Sequence, residues 1–72
     1  MFGISKETLA ALRAKFPVGC RVQLDWMTDW HAPAIGTKGT VRHVDDIGTI
    51  HVDWDNGSSL GVAYGEDRCH RI

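Results

Sequence analysis

The sequence predicts a mainly β fold: one small antiparallel sheet rolled into a barrel behind a single N-terminal α-helix. Three observations carry that expectation. From Gly36 to Val62 apolar and polar residues alternate with period two in short runs broken by glycine and aspartate, the pattern of half-buried strands joined by tight turns. Asp55-Asn56-Gly57 is a strong short hairpin signal. Helical spacing is confined to the stretch from Ser5 to Phe16. With 72 residues the chain is one domain, and a domain of this size buries only about 60% of the surface its unfolded chain would expose.

Residues 1–17 are expected to form the helical segment and residues 18–72 the barrel. Ser5 is placed to cap the first turn, Ile4 and Leu9 have the spacing of a hydrophobic staple, and Pro17 ends the helix. Leu9, Leu12 and Phe16 make a narrow apolar stripe by which so short a helix must dock. After the turn at Pro17-Val18-Gly19, Cys20, Val22, Leu24 and Trp26 alternate as the first strand. Met27 to Ile35 has no periodicity and contains Pro33, so it reads as an excursion between strands, where small barrels present binding residues. Gly36-Thr37-Lys38-Gly39 reads as a turn into a second strand, Thr40 to Val44. Asp45-Asp46-Ile47-Gly48 is a hairpin loop in which Gly48 supplies positive φ. The third strand, Thr49 to Trp54, points Ile50, Val52 and Trp54 to one face. Asn56-Gly57 suits a type I′ turn into a fourth strand, Ser58 to Val62. A tight turn at Tyr64-Gly65-Glu66-Asp67 leaves Arg68 to Ile72 as a fifth. Five short strands in this order are expected to close as a five-stranded SH3-like barrel, which removes exposed sheet edges.

The block from Gly36 to Leu60 resembles a family of uncharacterised bacterial and phage domains of unknown function. The resemblance is carried by Ala32-Pro33 ahead of G-T-K-G-T-V at Gly36 to Val41, then Val44 to Gly48, Ile50 to Val52, W-D-N-G-S-S-L at Trp54 to Leu60, and Gly65, Asp67 and Ile72. With Arg21, Val22 and Leu24 it spans about residues 20–72. It implies an SH3-like barrel and a bacterial or phage origin, and it brings no activity with it. Small phage chains often clamp a host protein, including nucleases of bacterial immunity, and that context implies an anti-defence role against a nucleic-acid-processing or CRISPR-type complex.

Composition narrows the function classes. The formal net charge is −1, without the basic excess of a nucleic-acid binder. The distribution is uneven: residues 1–24 carry Lys6, Arg13, Lys15 and Arg21 against Glu7 alone, while residues 25–72 carry four cations against eight carboxylates. No apolar run approaches the roughly 18 residues of a membrane helix, and the N-terminus lacks a signal-peptide layout, so a cytoplasmic protein is expected. Cys20 and Cys69 are too few for a disulfide scaffold. They read as buried thiols that an SH3-like seam could bring together. Four histidines and two cysteines lack the paired spacing of a zinc site, so no metal and no cofactor is expected.

Catalysis is not expected either. His43 and His51, with Asp45 and Asp53, could suggest acid–base chemistry, but a barrel this small seldom encloses the pocket a general base needs. Ser58-Ser59 follows a turn rather than a nucleophile elbow. The Gly36-Thr37-Lys38-Gly39 stretch leads into a strand, unlike a phosphate loop.

What remains is a non-enzymatic binding module that uses an acidic, aromatic-containing surface. Its expected contact residues are Trp30, His31 and Asp29 in the excursion with Asp45, Asp46 and Asp55 in the acidic loops, and its partner is a host protein with a basic surface. Two alternatives stay open. One is a nucleic-acid-binding barrel using Lys38, Arg42, Arg68 and Arg71; the other is a structural barrel that dimerises.

Overall fold

The computed structural model describes residues 3–72. It holds one helix, α1 (Lys6–Lys15), and four strands, β1 (Arg21–Trp26), β2 (Lys38–Val44), β3 (Ile50–Trp54) and β4 (Arg68–Arg71). The strands form one antiparallel sheet in the order β3-β2-β1-β4.

Local chemistry explains the elements. Ser5 caps α1, its hydroxyl accepting the Thr8 amide at 3.1 Å, and the Phe16 amide closes the helix onto the Leu12 carbonyl at 2.9 Å. Glu7 in the first turn and Arg13 and Lys15 in the last complement the helix dipole. No residue within α1 is fully buried. Leu9 and Leu12 are half-buried against the core and Phe16 is buried, as a narrow stripe on a short helix requires. On the sheet, the period-two pleat turns Val22, Leu24, Val41, Ile50, Val52 and Trp54 to one face, where the core lies with Met27 and Val62. A bulge between Val41 and His43 opposes two residues of β2 to one of β3. It lets Val41 and Val44 both point inward while Arg42 and His43 stay exposed.

The closed five-stranded SH3-like barrel is not what forms. The sheet is open and has four strands, because residues 58–62 do not make a ladder. They meet β3 through one hydrogen bond at the turn, from the Trp54 amide to the Ser58 carbonyl at 2.9 Å, and through one isolated bridge, Ile50 to Val62, whose two backbone hydrogen bonds are 2.9 and 2.8 Å. Elsewhere their backbone is satisfied locally. The Ser58 amide donates to the Asn56 side chain at 3.0 Å, the Leu60 amide to the Ser58 hydroxyl at 3.4 Å, and the Leu60 carbonyl accepts the Trp54 indole N–H at 2.8 Å. These side-chain bonds compete with strand pairing. The turn at Tyr64 to Glu66 then carries the chain over to β4, which pairs with β1 and ends the strand order among the described residues.

Lys38 and Gly39 belong to β2 rather than to a turn. Asn56 does not have positive φ, so the Asn-Gly turn is not type I′; Gly57 alone is left-handed, at φ 92°. Gly48 is left-handed as expected, at φ 85°. Cys69 pairs with Leu24, while Cys20 precedes β1, and both thiols are free and half-buried.

Candidate functional site

The excursion between β1 and β2 is a loop with a well-bonded frame and one bare side chain. Met27 and Pro33 are buried and anchor it on either side. Thr28 donates its amide and hydroxyl to Asp67 Oδ1 at 3.0 and 3.2 Å, while Asp67 Oδ2 accepts the Ala63 amide at 2.9 Å. One carboxylate thus staples the loop to the segment leading into β4. At the tip, Asp29 Oδ1 accepts the His31 amide at 2.7 Å and the Asp29 carbonyl accepts the Ala32 amide at 3.1 Å. That β-turn puts Trp30 and His31 at its two corners. On the far side Gly36, at φ 93°, donates to the Leu24 carbonyl at 2.8 Å, and Thr37 closes on Ala34 through both amide and hydroxyl. The backbone is held, and Trp30 is 97% exposed. His31 lies beside it, its Nδ1 3.6 Å from Asp29 Oδ1.

The other expected acidic contacts do not join this tip as one patch. Register places the Asp55 turn at the same end of the sheet as the excursion, since the Asp55 amide bonds the Lys38 carbonyl at 2.8 Å. Asp45 and Asp46 lie at the opposite end, beyond Val44. All three also have internal partners. Asp55 takes both guanidinium nitrogens of Arg21 at 2.8 and 2.6 Å, which holds its carboxyl below the usual range and raises Arg21. Asp46 pairs with Arg13 at 2.8 Å. Asp45 Oδ1 accepts the Ile47 and Thr49 amides at 3.1 and 2.9 Å, and Oδ2 meets His51 Nε2 at 2.8 Å. Burial raises the Asp45 pKa, and the His51 and backbone hydrogen bonds outweigh it, leaving the carboxyl below its ordinary value.

The cations are equally dispersed. Arg42 is paired with Asp53 at 3.1 Å and Arg71 donates to the Lys15 carbonyl at 3.4 Å. Lys38 and Arg68 have no ion-pair partner among the described residues. His43 and His51 stack on the solvent face, ring centroids 4.3 Å apart. Of the groups weighed for acid–base chemistry, His43, His51 and Asp45 come together there, His51 Nε2 lying 2.8 Å from Asp45 Oδ2, while Asp53 pairs with Arg42 and Ser58 serves its turn. Among the described residues no group of three or more His, Cys, Asp or Glu is arranged to hold a metal ion. No helix among them is long and apolar enough to cross a membrane.

Sequence reading missed a groove of about 750 Å³ on the core face, bounded by the end of α1, the Val62 to Asp67 segment and β4. Its aromatic walls, Trp26 and Tyr64, are both about half exposed. The signal available was a tryptophan at a strand end and a tyrosine with no periodic partner. Asp67 was legible only as part of the G-x-D resemblance; its role as the staple was not.

The model of a family described as a domain of unknown function (DUF4314) matches residues 5–72, the helix included. No curated protein and no solved structure matches the chain.

Proposed function

We propose, for a chain that belongs to the DUF4314 family, a non-enzymatic protein-binding role centred on the Trp30 turn. The observation that carries this reading is a tryptophan 97% exposed on a backbone fixed by the Asp29 turn and the Asp67 staple. A large apolar ring held in water gains most when a partner covers it, and a fixed backbone lowers the ordering cost of doing so. Asp29 and His31 give the tip a polar rim. The acidic balance of residues 25–72 favours a partner with a basic surface. A host protein of nucleic-acid processing or defence, met by a phage or mobile-element chain, has such a surface; that part of the reading rests on the family resemblance.

Direct nucleic-acid binding is less favoured, because the net charge is −1 and Arg42 is paired with Asp53 while Arg71 donates to the Lys15 carbonyl.

The test compares Trp30→Ala with the wild type in affinity capture from the native host and in denaturant unfolding. The substitution is expected to leave stability within about 0.5 kcal/mol and to weaken capture of the specific partner by at least about 30-fold, the loss of a hot-spot side chain. A partner captured equally well by Trp30→Ala would overturn this assignment.

A further inference from the structure

The register of β4 decides which of its groups face outward. The Ile72 amide donates to the Arg21 carbonyl at 3.1 Å, and Arg71, His70 and Cys69 stand opposite Val22, Gln23 and Leu24. Backbone direction alternates along a strand, so His70 turns its N–H and C=O towards β1 while Cys69 and Arg71 turn theirs away. β4 ends the strand order, and among the described residues no backbone hydrogen bond reaches these outward groups. Side chains divide by the same rule: Cys69 and Arg71 share a face with Leu24 and Val22, and His70 lies on the other with Gln23.

Charge is unevenly placed along this edge. The groove that Cys69 lines carries three carboxylates, Asp25, Glu66 and Asp67, against two cations, Lys15 and Arg68. Thr28 and Ala63 donate to Asp67 without neutralising it, and His70 meets Asp25 at 2.9 Å. With His70 neutral the groove is therefore one cation short, and Glu66 has no ion-pair partner among the described residues. Arg71, at the other end of the strand, is a cation outside any ion pair among them and reaches only the Lys15 carbonyl, at 3.4 Å.

We propose that a second copy of this chain supplies the missing cation, the two β4 strands pairing antiparallel about a two-fold axis at His70. Outward groups must meet outward groups, so Cys69 of each copy faces Arg71 of the other, and each pair exchanges both its backbone hydrogen bonds. Centring the pairing on Arg71 instead would set like charges opposite each other. In the His70 register the Arg71 side chain lies beside Cys69 of the second copy, on the groove's own face, and its guanidinium meets Glu66 there. Symmetry makes the same contact twice. On the opposite face His70 stands against His70, each with its own Asp25, and Ile72, which is 55% exposed, covers the stem of Arg68 of the second copy. The two four-stranded sheets become continuous. This contact goes beyond the Trp30 reading and leaves both Trp30 turns free. An edge of four residues buries less than the about 1,200 Å² of a stable complex, so the dimer is weak, with a Kd of about 0.1–1 mM.

The test is sedimentation equilibrium and amide NMR on the 72-residue chain from about 20 µM to about 2 mM, a span that brackets such a Kd. The chain is expected to be monomeric at the low end and mostly dimeric at the high end. With rising concentration the Cys69 and Arg71 amides are expected to shift and to gain protection from hydrogen exchange, while the His70 amide, already bonded to β1, changes little. Arg71→Glu and Glu66→Lys, both at exposed positions, are each expected to weaken the dimer about tenfold, as two symmetric exposed charge pairs turn repulsive. The double variant exchanges the charges and is expected to return to within about threefold of the wild type. Trp30→Ala is expected to dimerise as the wild type does. The proposal is overturned by a chain that stays monomeric at the highest concentration, by concentration-dependent shifts that spare β4, or by a double variant that fails to recover what either single change loses.

Discussion

Gly39 gives the sharpest check on the packing. It sits within β2, opposite Trp54 and Val22, and a methyl group built there would lie 2.5 Å from Val52 Cγ1, 2.9 Å from the Asp53 carbonyl oxygen and 2.9 Å from Trp54 Cε3. Ordinary carbon contacts begin near 3.5 Å, so the alanine requires about 1 Å of movement. None of its neighbours can give that cheaply: Val52 is fully buried, Trp54 is pinned by its bond to Leu60, and the third atom is backbone. Overpacking of this kind costs about 1–3 kcal/mol. The gain from restricting the unfolded chain, about 0.4–1 kcal/mol, offsets little of it. Gly39→Ala is therefore expected to lose about 2 kcal/mol, which for a domain of this size lowers Tm by about 8–16 °C. Gly61→Ala is the internal control. Its methyl would also meet an atom at 2.5 Å, but that atom is Thr49 Cγ2, the tip of a half-buried side chain that can turn away. It is expected to cost under about 1 kcal/mol. Paired urea and thermal unfolding decide the matter. If the two variants are equally stable, or Gly39→Ala matches the wild type, the close approach of β2 and β3 described above is wrong.

Two further outcomes follow from titrating groups. Asp45→Ala removes three hydrogen bonds from the β2–β3 hairpin and is expected to cost about 2 kcal/mol, at roughly 0.5–1.5 kcal/mol each. Asp45→Asn keeps the oxygen that accepts the two amides and is expected to lose less than half as much; equal losses in urea unfolding would refute the division of labour. Because the folded Asp45 carboxyl sits below its ordinary value, its stabilising contribution is present above the free-carboxylate pKa of about 3.9 and is lost as pH falls through the lower folded value. Acid unfolding of Asp45→Asn should accordingly be less steep than that of the wild type. Cys69 is pushed up to about 12, by burial first and then by the neighbouring Asp25 and Cys20. Its contribution is whole below the free-thiol pKa near 8.5 and is lost as pH rises towards 12. Alkylation of Cys69 at pH 8 is expected to be roughly a thousandfold slower than that of a free thiol; alkylation at the rate of unfolded protein would refute its burial.

Much of the framework was legible in the residues. Which side of each strand faces the core follows from the two-residue repeat, a local property, and Val22, Leu24, Ile50, Val52 and Trp54 obey it. The α1 limits came from Ser5 and Pro17, again chemistry within one turn. The Trp30 turn was legible by the opposite sign, an aromatic without periodic partners. Asp45, Asp46 and Asp55 were legible as acidic turns and His51 as a neighbour of Asp45, but the partners Arg13 and Arg21 were not. The last two lie 33 and 34 residues away, a pairing that only chain packing creates.

The sequence alone thus determined the mainly β composition, the capped helix and the inward face of most strands, since each depends on neighbours a few residues apart; that Trp30 stands bare was decided by the tertiary structure. Tertiary structure decided whether the sheet closes. Closure needed residues 58–62 to continue a ladder, and the bonds among Asn56, Ser58, Trp54 and Leu60 drew that backbone off instead. The unpaired edge of β4 and the groove beside it are spaces between distant segments, and no local pattern encodes a space.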